Sequence, residues 1–250
     1  GQVISGNYKK VLEEVKNISL RPKACVVFFK KAFGSDDFVA HIGKNFPNVP
    51  VIGGGAAHIH GKDEGELLPV TSEVTVLLIA EGEFEHTVLN IYDDLNVKLE
   101  INPGSERVIN KVRVMPDGDW QDAIAFYNNY RNKLKIGDSD FESLCLCDEK
   151  RRNLHCSISN GQLYLGANYP PDRIVNLKYA DRETATKRVK SFFNDEDSLI
   201  FGCAGARLLL DEPFFTGARS LAGFLFGEIV SDGKQAGLGN LMFAKLKKIK

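Results

Sequence analysis

Pro50-Val51-Ile52-Gly53-Gly54-Gly55-Ala56 opens as a buried strand and breaks into glycines. Ser220-Leu221-Ala222-Gly223-Phe224 opens the same way, with its landmark glycine 170 residues on (from 53 to 223). Ahead of the first stands Ala24-Cys25-Val26-Val27-Phe28-Phe29, and ahead of the second Leu199-Ile200-Phe201. Both are continuous apolar runs of strand length ending in Phe, the pattern of strands covered on both faces. A closing apolar strand follows each glycine segment, at Val74 to Ala80 and Gly239 to Leu246. The first and last thirds therefore read as two related modules whose small-residue loops approach a pseudo-twofold axis. In this register His58 falls opposite Glu228, and Ile59 opposite Ile229.

Helical spacing surrounds these strands. Tyr8, Val11, Leu12 and Val15 predict a short amphipathic helix. Ser35 offers an N-cap to a helix bearing Phe38, Val39, Ile42 and Phe46, which Pro47 ends. Asp119 offers a cap to one bearing Trp120, Ala123, Ile124, Tyr127 and Leu134, and Asp181 to one bearing Ala185, Val189, Phe192 and Phe193. The middle alternates instead: Thr87, Leu89 and Ile91, then Val97, Leu99 and Ile101, then Val112 and Val114. Period two predicts half-exposed antiparallel strands. Further short strands follow at residues 144–147, 154–159 and 162–165, the last two joined by the hairpin pair Asn160-Gly161. Residues 60–71 are polar and read as a loop. The expected fold is α/β (α+β), with two related modules that are each a mixed or antiparallel sheet carrying helices on its outer face. The expected division is 1–100 and 101–250, with the antiparallel middle mostly in the second module.

The 250 residues carry 32 Lys and Arg against 33 Asp and Glu, too balanced for a dedicated nucleic-acid binder. No apolar run approaches the roughly 20 residues that span a bilayer, and no signal-peptide pattern opens the chain. Five cysteines, an odd number, suit a reducing compartment better than a disulfide framework. The expectation is a cytoplasmic protein with no nucleic-acid or membrane partner.

Adjacent glycines permit positive φ and close backbone approach, so the amides of Gly53, Gly54 and Gly55 could cradle an anion or contact a small ligand; a tight strand exit is the plainer reading. The run matches neither a dinucleotide fingerprint nor a P-loop. His58 and His60 share a strand face and would hold zinc only with a third ligand, without a CxxC or HExxH beside them; no metal or cofactor is expected. Cys145 and Cys147 share another face near Cys156, as core thiols or a redox or metal group. Cys203, in Phe201-Gly202-Cys203-Ala204-Gly205-Ala206-Arg207, has an arginine four residues on that would favour the thiolate, and as a nucleophile it would need a base such as His58. Glu228, in Gly223-Phe224-Leu225-Phe226-Gly227-Glu228-Ile229, follows a buried strand, where a carboxylate must be paired, accept backbone amides or face a pocket; Arg207 is its natural partner.

The segment from Ser198 to Arg207, then Leu221 to Ile229, resembles the C-terminal module of the FIST domain, which carries a cysteine-glycine-arginine motif and a Gly-Phe…Gly-Glu-Ile motif after successive strands. Gly161 to Ala180 is similar to that module's strand-rich lead-in, Trp120 to Leu134 to its helix, and Ala24 to Ala80 to the end of the family's N-terminal module. The chain departs from the pattern where Ala206 precedes Arg207, and its N-terminal module is short. The resemblance implies an intracellular sensory domain that binds a small ligand such as an amino acid. It also implies an alternative, a substrate-recruiting module like those found behind an F-box.

The expected function is accordingly a non-enzymatic small-ligand sensor in signal transduction, its expected partners a small-molecule ligand and a signalling output or protein partner. Its site would comprise Gly53, Gly54, Gly55, His58, Cys203, Gly205, Arg207, Phe226 and Glu228, with Arg207 and Glu228 holding a zwitterion's charged ends. The alternatives are a protein-recruiting module and a Cys203-dependent enzyme.

Overall fold

The structure is a computed structural model, and it describes residues 1–30, 36–60, 72–104, 107–136, 144–148, 153–165, 173–194, 197–203, 221–231, 236–238 and 242–249. In chain order the elements are β1 (Gln2–Gly6), α1 (Tyr8–Lys16), β2 (Ala24–Phe29), α2 (Asp36–Asn45), β3 (Val51–His60), β4 (Val74–Ile79), β5 (Phe84–Asn90), β6 (Asp93–Pro103), β7 (Val108–Val114) and β8 (Gln121–Asp122). Then come α3 (Ala123–Lys133), β9 (Leu144–Cys147), β10 (Asn153–Ser159), β11 (Gln162–Leu165), β12 (Ile174–Tyr179), α4 (Arg182–Phe193), β13 (Ser198–Cys203), β14 (Leu221–Ser231), β15 (Ala236–Leu238) and β16 (Met242–Lys248). This is a mixed α/β chain in which helices accompany two sheets. No described helix is long and apolar enough to cross a membrane.

The chain forms two compact units, residues 1–90 with 188–250, and residues 91–187. The division expected at 100 falls inside β6, and the antiparallel middle makes a unit of its own. The cause is strand pairing: β5 joins β16 of the first unit, whereas β6 joins β7 and β12 of the second.

In the first unit the described strands run β1-β4-β2-β3-β14-β13-β16-β5, with β15 on β14. Strand β2 is parallel to β3 and antiparallel to β4, which is antiparallel to β1. Strands β13, β14, β16 and β5 repeat those senses in the same order. The sheet is thus a palindrome about the antiparallel β3–β14 pair. Two pairs of that ladder, Phe224 with His58 and Glu228 with Gly54, exchange under the 170-residue offset, so the repeat read in the sequence is present as topology.

Helices cover one face. The Asn7 side chain caps α1 by accepting from the Lys10 N–H at 2.9 Å. Val11 and Val15 of α1 and Phe38, Val39 and Ile42 of α2 then pack on Cys25, Val27 and Phe29 of β2. Over the second half, Phe193 of α4 meets Phe243 edge to face at 5.7 Å. Lys245 donates to the Phe192 carbonyl at 3.3 Å, a cation on the last turn of α4, where the helix dipole favours it.

The other face is concave. Phe28 of β2 and Phe201 of β13 meet edge to face at 5.5 Å, although β3 and β14 lie between their strands. A flat sheet would hold those strands about 14 Å apart, three ladder spacings, so this sheet rolls around a core of Ala24, Val26, Ile52, Phe201, Ala244 and Leu246.

The second unit is built on a closed ladder. Strands β11, β10, β9, β12, β6 and β7 follow in order, all antiparallel, and β7 pairs back onto β11. Closure leaves no free edge among these six strands, and their inward residues, including Leu99, Ile101, Leu146, Leu163 and Leu177, share a core with Phe126 of α3. The hairpin pair Asn160-Gly161 takes φ of 49° and 67°, as a type I′ turn requires. Helix α3 starts later than its sequence suggests. Gln121-Asp122 pairs with β7 as β8, so the cap moves from Asp119 to Asp122, whose carboxylate accepts from the Ala125 N–H at 2.9 Å. Trp120 is left outside the helix, partly exposed, with Arg113 over its ring at 5.0 Å.

Candidate functional site

The site expected from the sequence centres on the β3–β14 seam. Gly53, Gly54 and Gly55 do not form a loop after a strand; they lie buried within β3, which continues to His60. The reason is steric. Gly53 and Gly54 adopt φ of +128° and +153°, and a Cβ at Gly53 would stand 1.9 Å from the Val27 carbonyl oxygen. Only glycine lets β3 run that close to β2.

The opposite strand contributes the other half. Backbone pairing sets Phe226 against Gly55, Glu228 against Gly54 and Phe224 against His58. The register shifts on both sides of Phe226, and such irregularities locally re-aim side chains and leave ladder groups unpaired. Phe28 pairs with Gly54 and Phe201 with Gly223 in the flanking ladders, and the two rings meet edge to face.

Five of the nine expected site residues, Gly54, Gly55, His58, Phe226 and Glu228, thus come together along one ladder, and Gly53 precedes them in β3, paired with Val27 of β2. Cys203 ends β13 in register with Leu225 of β14 and is buried. Gly205 and Arg207, and with them the expected Arg207–Glu228 pair, lie outside the described residues.

The remaining thiols divide by environment. Cys25 packs under the helices on β2, and burial pushes its thiol pKa well up. Cys156 points into the closed ladder, where burial pushes it up to about 12. Leu144 and Leu146 take the inward positions of β9, so Cys145 and Cys147 stand on the opposite face from Cys156. The wall of the barrel separates them, and the three do not form one cluster. Burial also raises Cys147, against the opposing pull of the Lys178 ammonium beside it. Among the described residues no group of three or more His, Cys, Asp or Glu side chains could hold a metal ion.

Sequence reasoning misses one residue of chemical interest. His86 on β5 has a buried Nε2 with no hydrogen-bond partner among the described residues, and burial lowers its pKa. The phase of β5 hides it: the alternation read at Thr87 and Leu89 follows one face, whereas Phe84 and His86 occupy the other. No family model matches the chain, and no curated protein matches it.

Proposed function

We propose that this chain is a sensory domain that binds a small ligand at the β3–β14 seam and passes the bound state to a signalling partner. One observation carries the reading: the two halves of the repeat meet through their glycine-rich and Gly-Glu-Ile segments, and the ladder between them breaks register on both sides of Phe226. Irregular ladders recur next to binding sites because backbone groups freed from pairing can serve a ligand. The resemblance of these segments to the FIST domain supports the same reading and favours an amino acid or related metabolite. Glu228 would hold the ammonium end, while the carboxylate would take Arg207 or backbone amides of the glycine segments.

A thermal-shift screen of the amino acids tests it, since a ligand that binds the native state raises the melting temperature by mass action. A saturable shift that Glu228→Gln abolishes is the expected result. No shift with any amino acid, or an undiminished shift in Glu228→Gln, overturns the assignment.

A further inference from the structure

Strand β5 lies at the edge of the first unit's sheet and, among the described strands, pairs with β16 alone. None of its seven residues is fully buried, whereas Met242 to Leu246 of β16 beside it all are. Yet β5 holds one sealed polar atom. The Nε2 of His86 has no access to water and no hydrogen-bond partner among the described residues. His86 lies directly opposite Leu246, on the face that carries Phe84 and the concave core. Its neighbours along the ladders of that face are apolar: Phe84 and Val88 on β5, Ala244 and Leu246 on β16, and Leu199 beyond them on β13. Ile79 of β4 faces the same core. The charged groups of that face stand at its rim, Lys248 opposite Phe84 and Asp197 just before β13, and both are exposed. Lys245 opposite Thr87, and Lys247 opposite Glu85, lie on the other face.

We propose that β5 is an acid-released strand: uptake of a proton at His86 favours its detachment from β16 and frees the stretch that leads into residues 91–187. A neutral imidazole can keep Nε2 as a bare acceptor, at the cost of one unmade hydrogen bond. An imidazolium must carry N–H on both nitrogens, so Nε2 would become a charged donor with nothing to receive it. Detachment exposes the ring to water and removes both costs. With one ladder and no fully buried residue to give up, β5 detaches at less cost than the unit unfolds. Burial lowers the pKa of His86 from 6.5 while the strand is in place, so the released state takes the proton first as pH falls. Strand β5 shares no ladder with the β3–β14 seam, and its release by acid is separate from the ligand binding proposed there.

Native-state amide hydrogen exchange of the whole chain tests it, with rates corrected for the intrinsic effect of pH on exchange. The amides of Phe84–Asn90 should open more often than those of Ala24–Phe29 at every pH, since they exchange through local release rather than through unfolding of the unit. Their opening constant should rise by up to about tenfold from pH 7.5 to pH 5.5, the limit for one proton taken up at 6.5. His86→Phe and His86→Gln, neither of which titrates, should each remove that rise while leaving β5 the more readily opened strand. The proposal is overturned if β5 exchanges no faster than Ala24–Phe29, if the wild-type rise is absent, or if the rise persists in whichever of the two variants folds.

Discussion

Replacing Gly53 with alanine adds one methyl group, and the geometry of β2 and β3 sets its cost. The methyl would lie 1.9 Å from the Val27 carbonyl oxygen, 2.8 Å from its carbon and 2.9 Å from the Val27 nitrogen. All three are backbone atoms, so no side chain can swing aside. To reach ordinary contact the two strands must part by more than 1 Å or so, which breaks parallel ladder bonds in the middle of the sheet. A φ of +128° adds conformational strain for any residue with a Cβ. The expected loss exceeds about 4 kcal/mol, beyond the ordinary range of single substitutions and a large part of a typical stability of about 5–15 kcal/mol. Two other glycines separate the contributions. At Gly202 a methyl would stand 2.3 Å from Cδ1 of Phe243, a buried ring that can move only by repacking against Phe192 and Phe193, for about 1–3 kcal/mol. At Gly161 the φ is +67° but nothing lies within 4 Å, so the cost is conformational alone, about 1 kcal/mol. Urea unfolding of the full chain should rank the losses Gly53→Ala, Gly202→Ala, Gly161→Ala, with the first moving the transition of the 1–90 and 188–250 unit furthest toward low urea. A Gly53→Ala protein that unfolds at nearly the wild-type urea concentration would refute the steric argument.

The five thiols, all buried, should react with an aromatic disulfide reagent only as fast as the chain opens, and all five should react in denaturant; immediate native-state labelling of Cys25 or Cys156 contradicts their burial. A fragment of residues 91–181 should melt cooperatively by circular dichroism, because its six-strand ladder closes within it and Asp93 pairs with Tyr179, setting its two ends side by side; a featureless, unfolded spectrum counts against an autonomous unit. His86 has a folded-state pKa lowered by burial from 6.5, so the native chain binds fewer protons than the unfolded one as pH falls below that value. The His86 contribution to stability is therefore full above about pH 6.5 and declines as pH falls below it, and His86→Phe should flatten that part of a pH series of urea unfolding curves; parallel curves for the two proteins exclude the effect.

Where one face or one turn decides a segment, the sequence is a sufficient guide. The apolar run from Ala24 to Phe29 predicts a strand covered on both sides, and its residues do divide between the helix-side core and the concave core. Asn160-Gly161 and the Asp181 cap, whose carboxylate accepts from the Thr184 N–H at 2.8 Å, are local devices and are read correctly from neighbours alone. Legibility ends where a long-range partner chooses between two local options. Three consecutive glycines suit a loop, and only the approach of β2 makes them a strand. Asp119 and Asp122 are both competent caps, and pairing of Gln121-Asp122 with β7 selects the second. Residues 84–90 alternate like the strands after them, yet their partner is β16, more than 150 residues away in sequence, so the boundary expected at 100 could not be corrected from composition. At the candidate site the residue types and the 170-residue register were visible, whereas the burial of Cys203 and the orphaned nitrogen of His86 depend on how far the sheet rolls.

The palindromic sheet also explains why the second unit sits where it does in the chain. In the first half β1 leads through α1 to β2; in the second, β5 takes the place of β1, α4 that of α1 and β13 that of β2. Residues 91–187 enter after β5 and run into α4, which places the closed ladder within the connection that α1 alone makes in the first half. Such a position tolerates an insertion because it disturbs no ladder: β5 keeps β16, α4 keeps its packing on Phe243, and the guest closes its own edges and returns beside its point of entry through the Asp93–Tyr179 pair. The same change inside β3 or β14 would cut the seam on which both halves depend. Symmetry therefore ties the glycine-rich strand to its partner, while the strand-to-helix connection away from the seam is free to acquire a new domain.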